Sequence, residues 1–285
     1  MKKSTLFVAA LAFGVTTAFA QDLTSKKGEP ILPEAGDYAI GVDAYPLLNF
    51  FGNMMNGTQD VDPFGWNYTN TGNMITGKMF ASETMAYRGM IRIGFGSNTW
   101  TNPVVDDAST STPVGMTEDE LKQSWNYIGL GGGLEWRRGK GRLQGYWGGM
   151  LMFSMSGGKS TYSYGNAFST TNTTPTSTID FNTGATANNS FRTTEMKMGS
   201  TMMFGLRGFA GAEFFVLPKI SVGGEFGWGL GFSKTGAGTN TVEAWNGTGT
   251  TSTETETGTS SSFGIDTDNN AFGLAPAAVL VHFHF

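Results

Sequence analysis

Two histidines, His282 and His284, stand two residues apart at the end of a chain that has no cysteine and no other histidine. Imidazole is the side chain best suited to general base work near neutral pH, and two on one strand face could ligate a metal. No cysteine or carboxylate lies beside them in sequence, and two histidines alone specify little. They are read as polar positions of a terminal strand, with no metal and no cofactor expected. Gly129 to Gly133 lacks the Gly-Lys-Ser/Thr that completes a phosphate-cradling loop and lies inside an alternating segment rather than ahead of a helix. Asp266 to Asn270 begins like a calcium loop, but Ala271 and Ala277 stand where such a loop needs glycine and a bidentate glutamate. Asn56, Asn67 and Asn246 each open an Asn-x-Thr match, expected by chance in stretches this rich in Asn and Thr.

A second set of ionisable residues follows a different logic. Asp43, Lys78, Arg88, Arg92, Glu135, Arg207, Glu213 and Glu225 all fall on the polar side of segments that alternate polar and apolar. Four acids and four bases gathered on the inside of one fold would be costly unless they neutralise one another. The expected outcome is a salt-bridged plug. A thin water path in which Arg88, Arg92 and Arg207 select anions is the alternative.

The elements that must position these groups are β-strands. Along 220 to 232, Ile220, Val222, Phe226, Trp228, Leu230 and Phe232 share one face, while Ser221, Glu225 and four glycines share the other. The same alternation puts Leu143, Trp147, Leu151 and Phe153 outward with Arg142, Gln144, Tyr146 and Ser154 inward. It also puts Tyr87, Ile91, Ile93 and Phe95 outward with Arg88 and Arg92 inward. Eight strands are predicted, at about 38 to 50, 73 to 81, 85 to 97, 123 to 138, 142 to 156, 195 to 216, 220 to 233 and 270 to 285. Tight turns at 82 to 84, 139 to 141 and 217 to 219 alternate with long polar loops at 51 to 72, 98 to 122, 157 to 194 and 234 to 269. Short turns at one end and long loops at the other suit a closed antiparallel transmembrane β-barrel. Ten strands would require 159 to 164 and 191 to 197 to be more than extensions of their neighbours. A soluble sandwich would not readily accept a polar face made largely of glycine. Trp136 and Phe285 are expected in one interfacial girdle, Trp125 and Phe232 in the other. Trp66, Trp100 and Trp245 are expected to pack on the barrel rim.

Composition supports an exported membrane protein. Met1-Lys2-Lys3, the apolar run from Leu6 to Val15 and Ala18-Phe19-Ala20 make a cleavable export signal over residues 1–20. Residues 21–36 would then form a periplasmic N-terminal segment and 37–285 the barrel. Beyond the signal no apolar run approaches a spanning helix. Only 14% of residues are charged, beside 42 glycines and 22 phenylalanines, a mixture that fits strands facing lipid on one side and a narrow lumen on the other. The net charge of −5 gives no reason to expect nucleic-acid binding.

The alternating terminal stretch Val281-His-Phe-His-Phe285, the export signal and the rhythm of strands and loops resemble the small bacterial outer-membrane β-barrels, the OmpA-type and porin-like domains. The resemblance covers about 37 to 285. It implies residence in the bacterial outer membrane, outer-membrane lipid as the surroundings, and Val281, Phe283 and Phe285 as the lipid-facing side of the signal read by the barrel-assembly machinery. The chain departs from the longer OmpA-type proteins in one respect: no peptidoglycan-binding domain is expected after Phe285, so that a wall tether could only be the segment from Gln21 to Gly36. Barrels of similar outline that act as enzymes rely on a histidine near the outer surface. His282 and His284 would lie at the opposite end, so no enzyme activity is expected. The function expected is a non-enzymatic barrel with a largely plugged lumen, serving envelope integrity or meeting an extracellular ligand through its loops. A narrow porin or small-solute channel is the alternative.

Overall fold

A computed structural model describes residues 24–44, 75–187, 190–266 and 277–285. Its strands run in chain order as β1 (Tyr38–Asp43), β2 (Ile75–Ser82), β3 (Met85–Val105), β4 (Met116–Lys140), β5 (Leu143–Ser163), β6 (Thr178–Ile179) and β7 (Thr186–Ala187). They continue as β8 (Phe191–Lys197), β9 (Thr201–Leu217), β10 (Ile220–Thr235), β11 (Thr239–Trp245), β12 (Thr250–Glu256), β13 (Ser260–Asp266) and β14 (Ala277–His284).

Eight of these close on themselves. Successive antiparallel pairs run β1, β2, β3, β4, β5, β9, β10, β14 and back to β1, where Ala39 faces His284 and Val42 faces Val281. Closure leaves no edge in the ring. Period-two alternation sets which side faces in: along β10 every odd position from Ser221 to Gly231 is buried, while Val222, Phe226, Trp228 and Phe232 are exposed. The turns at one end are tight, and two of them use left-handed backbone, at Gly141 (φ 64°) and at Lys219 (φ 59°) after Pro218.

At the other end the strands run much further than expected. The supposed loop at 98 to 122 is the far part of the β3/β4 hairpin, paired without interruption out to Val105 and Met116. The stretches 157 to 194 and 234 to 269 likewise hold the end of β5, together with β6 to β8 and β11 to β13. The single strand expected at 195 to 216 is divided at 198–200 into β8 and β9. β8 pairs with the outer end of β5 and with β11, so it extends the sheet beyond the ring and leaves eight strands in it. The reason is physical: in the outer parts the buried positions hold polar as well as apolar residues, Asp119 and Ser160 beside Leu121 and Val104, and the exposed ones are mostly polar, so hydropathy does not alternate even where burial does. Trp100 and Trp245 accordingly sit in β3 and β11 rather than in loops. The expectations for 1–20, 51–72, Asn56, Asn67, Trp66 and most of the calcium-like stretch fall outside the described residues.

Residues 24–36, the described part of the 21–36 segment, pack against the turn end of the ring. Ile31 is fully buried there, its carbonyl accepts the Lys219 N–H, and the Gly36 N–H donates to Phe80. An isoleucine gains more from closing that mouth than from staying in water, by about 2 kcal/mol. Lys219 and Asp37 form an ion pair beside it. Burial pushes the Asp37 carboxyl up, but the hydrogen bond from Lys219 and that from the Glu34 backbone N–H outweigh it and hold the group below the ordinary carboxylate value.

Candidate functional site

The interior of the ring carries the charges and the exterior carries the aromatics. Glu135 on β4 accepts from Lys78 Nζ of β2 at 2.9 Å and lies 3.4 Å from Arg88 of β3. Arg88 reaches on to Glu225 of β10 at 2.6 Å, and Glu225 takes Arg207 of β9 on its other oxygen at 2.8 Å. Glu213 of β9 pairs with Arg137 of β4, with Lys78 at 3.8 Å and with the Ser221 hydroxyl at 3.1 Å. All of these side chains are almost completely buried. Lys78 and Arg88 are direct cross-strand neighbours, an arrangement that repels unless a carboxylate stands between them. Glu135 does so.

Apolar layers complete the filling. Tyr146, Met150, Met152, Phe209 and Met90 form a buried cluster with Met203 against it, and the Arg88 guanidinium lies 4.3 Å from the Phe209 ring centre. These side chains fit because glycine faces them. A Cβ on Gly131 would strike the Met152 sulfur, one on Gly211 the Tyr146 ring, and one on Gly227 the Arg207 guanidinium. The lumen glycines are therefore sockets for large groups reaching across, which is what a filled eight-strand ring demands.

Of the residues expected inside, Lys78, Arg88, Glu135, Arg207, Glu213 and Glu225 form this one network. Arg92 lies one layer further out, over the Tyr127 ring at 4.9 Å. Asp43 ends β1, and its side chain lies outside the described residues. Val281, Phe283 and Phe285 share the outward side at the end of the chain, with Phe285 stacked on Tyr38. Arg137 was not expected in the network. It directly follows Trp136 and precedes Arg138, Gly139 and Lys140, yet its parity with Glu135 two positions earlier marks it as inward. Trp125, expected in an outer girdle, faces inward: it stands opposite Gly96, on the side of Arg88 and Arg92, and its ring occupies the space that Gly94 and Gly96 leave.

His282 and His284 also point inward. His284 Nε2 lies 3.1 Å from Ser221 Oγ, which itself donates to Glu213. A nucleophile, base and carboxylate relay places histidine in the middle; here serine is in the middle and fully buried.

The outer end is organised by its own anchors. Asp119, fully buried, accepts from the backbone N–H of Gly165 and of Ile179, each at 2.9 Å. Asn166 donates to the carbonyls of Val105 and Ser177, and Arg192 bonds Glu243 and the Asn166 carbonyl while stacking on Tyr164 and Phe168. Asp107 takes hydrogen bonds from Ser177, Thr176 and Asn172; burial pushes its carboxyl up, and these bonds more than offset that, holding it below the ordinary value.

No protein-family model and no curated protein matches the chain. Among solved structures it is similar to the outer membrane protein OprG from Pseudomonas aeruginosa, with 11% identity and a TM-score of 0.29 over 89% of this chain and 98% of that one. A TM-score that low carries no argument about this chain.

Proposed function

We propose that the chain is a non-enzymatic integral barrel of the bacterial outer membrane whose lumen is sealed, and which serves as a rigid mount for the sheet and loops at its outer end. The observation that carries this reading is the inversion of burial. Glu135, Glu213, Lys78 and Arg88 are buried, while Phe95 is 81% exposed, Leu151 68% and Phe226 64%. A soluble protein rarely leaves so continuous an apolar surface in water, and lipid is the solvent that suits it. From Trp136 to Asn126, β4 runs about ten residues, or about 33 Å of strand. Tilted by about 40°, that stands roughly 25 Å tall, the height of an outer-membrane apolar band. Trp136, Trp147, Tyr38 and Phe285 mark one border of it. Envelope integrity, or contact with an extracellular ligand through the outer sheet, is the role such a mount would serve, with the barrel-assembly machinery as the partner that inserts it.

Planar-bilayer conductance tests the sealed lumen, after heat-dependent gel mobility has shown that the ring is formed. The expected result is a folded protein that is electrically silent. Reproducible unit conductance would overturn the seal and favour a narrow channel past Arg88, Arg92 and Arg207.

A further inference from the structure

Above the apolar belt, on its outward side, the strand registers bring three lysines together. Lys159 of β5 stands directly opposite Lys197 of β8, and Ser124 of β4 stands opposite Lys159 on its other side. Lys122 follows Ser124 at the next outward position of β4, diagonal to Lys159 and within reach of a shared ligand. Alternation fixes the direction: Leu121 and Ser160 are buried, while Lys122, Lys159 and Lys197 are exposed. Two like charges directly opposed across a ladder destabilise it unless something neutralises them. Glu195 pairs with Lys159 at 2.7 Å; Lys122 and Lys197 have no ion pair among the described residues. A shallow concavity of about 760 Å³ is lined by these lysines with Ser124, Asn126 and Phe95. One step down lies the belt, beginning with Phe95, Ile93 and Ile128.

The geometry points to a site for the phosphorylated headgroup of an outer-leaflet glycolipid, held by Lys122, Lys159 and Lys197 with the Ser124 hydroxyl and the Asn126 amide, its acyl chains lying along Phe95 and Ile93. The class of ligand follows from the juxtaposition. Ammonium groups and neutral donors converge at the level where an acyl chain gives way to a polar head, so the anion they suit is one that carries its own hydrocarbon. This inference rests on the membrane reading above.

The test uses the folded full chain in neutral-detergent micelles and measures binding of diphosphoryl lipid A, its dephosphorylated counterpart, and inorganic phosphate. Wild type is expected to bind the diphosphoryl form and to discriminate at least roughly tenfold against the dephosphorylated one, as charge-assisted contacts to phosphate require. Lys122→Gln, Lys159→Gln and Lys197→Gln together should abolish that preference. Lys26→Gln with Lys27→Gln, at the turn end, should leave it intact. Glu195→Gln, which frees Lys159, should tighten binding, an effect that a purely structural role for Glu195 would not produce. Equal binding of both lipid forms, full retention in the triple variant, or equal protection by inorganic phosphate would each overturn the site. Heat-dependent gel mobility and insertion into vesicles, run on the same preparations, separate the two failures. A chain that inserts but ignores lipid phosphate loses only this site, whereas one that does not insert loses the barrel reading itself.

Discussion

At the scale of single residues, the cost of a charge in this ring is set by what it leaves behind. Glu225 is shared by Arg88 and Arg207, so Glu225→Ala leaves the buried Arg207 guanidinium without its carboxylate and Arg88 with Glu135 alone. The expected loss is about 3–5 kcal/mol of stability, the range for breaking a buried ion pair by removing one partner; Glu225→Gln, which still accepts hydrogen bonds, should lose less. Urea unfolding in lipid vesicles, followed by tryptophan fluorescence, measures both, and a Glu225→Ala protein as stable as wild type would show that the network is not holding the ring. The sockets give a steric counterpart. Gly227→Val intrudes on the Arg207 guanidinium and should cost about 1–3 kcal/mol by overpacking, whereas the same change at Gly224, where a Cβ meets nothing, should be nearly silent in the same assay. Most of the network was legible in the sequence because a charge at an inward position of an alternating strand has few places to go. Arg137 was left out of the inward set, although it falls within the strand read at 123 to 138 and shares the parity of Glu135. Trp125 was misplaced because its size suggested a girdle while its parity, opposite Gly96, put it inside.

Elements tell a similar story about where pattern carries information. The ring strands could be read because an apolar outer face and a packed interior force a period of two. Once β3 and β4 rise past the belt the constraint lapses, and Thr99-Trp-Thr-Asn102 resembles a loop although its pairing is unbroken. What keeps the outer segment from 164 to 187 in place is hydrogen bonding to buried or half-buried carboxylates, which no periodicity announces. Asp107 is the titratable part of that latch. Its folded-state value is depressed below the ordinary 3.8, so its stabilising contribution is complete above that value and fades as pH falls through the lower, folded one. The protection of the Thr176 amide from hydrogen exchange, relative to its intrinsic rate at each pH, should thus stay high at pH 5 and fall only below about pH 4. Asp107→Ala should expose the segment to protease nicking already at neutral pH while leaving the heat-dependent mobility of the ring unchanged. Loss of ring mobility in that variant would mean that the outer segment is not a separable unit.

For the whole molecule, the filling of the ring is layered: the packed segment 24–36 at the mouth, the ion-paired network above it, then the tyrosine, methionine and phenylalanine layer. Removing residues 24–36 should therefore leave the protein electrically silent, because the deeper layers remain; channels appearing in that deletion would make the strap the true stopper. Among the described residues the hairpin of β11 and β12 pairs only with β8 beyond the ring, and its deletion should leave the ring folded. The seam is different in kind. β1 meets β14 through Ala39 and His284, partners roughly 245 residues apart in the chain, the largest sequence separation of any pair in the ring. Every other ring pair joins nearer neighbours, so the ring has a natural order of assembly and this joint comes last. Until it forms, two strand edges stand open, ready to pair with another chain. The vulnerable interval in the life of this protein is thus a kinetic one, and the joint that ends it has a steric requirement at Gly41, where Thr76 and His282 leave no room for a side chain in the closing strand pair.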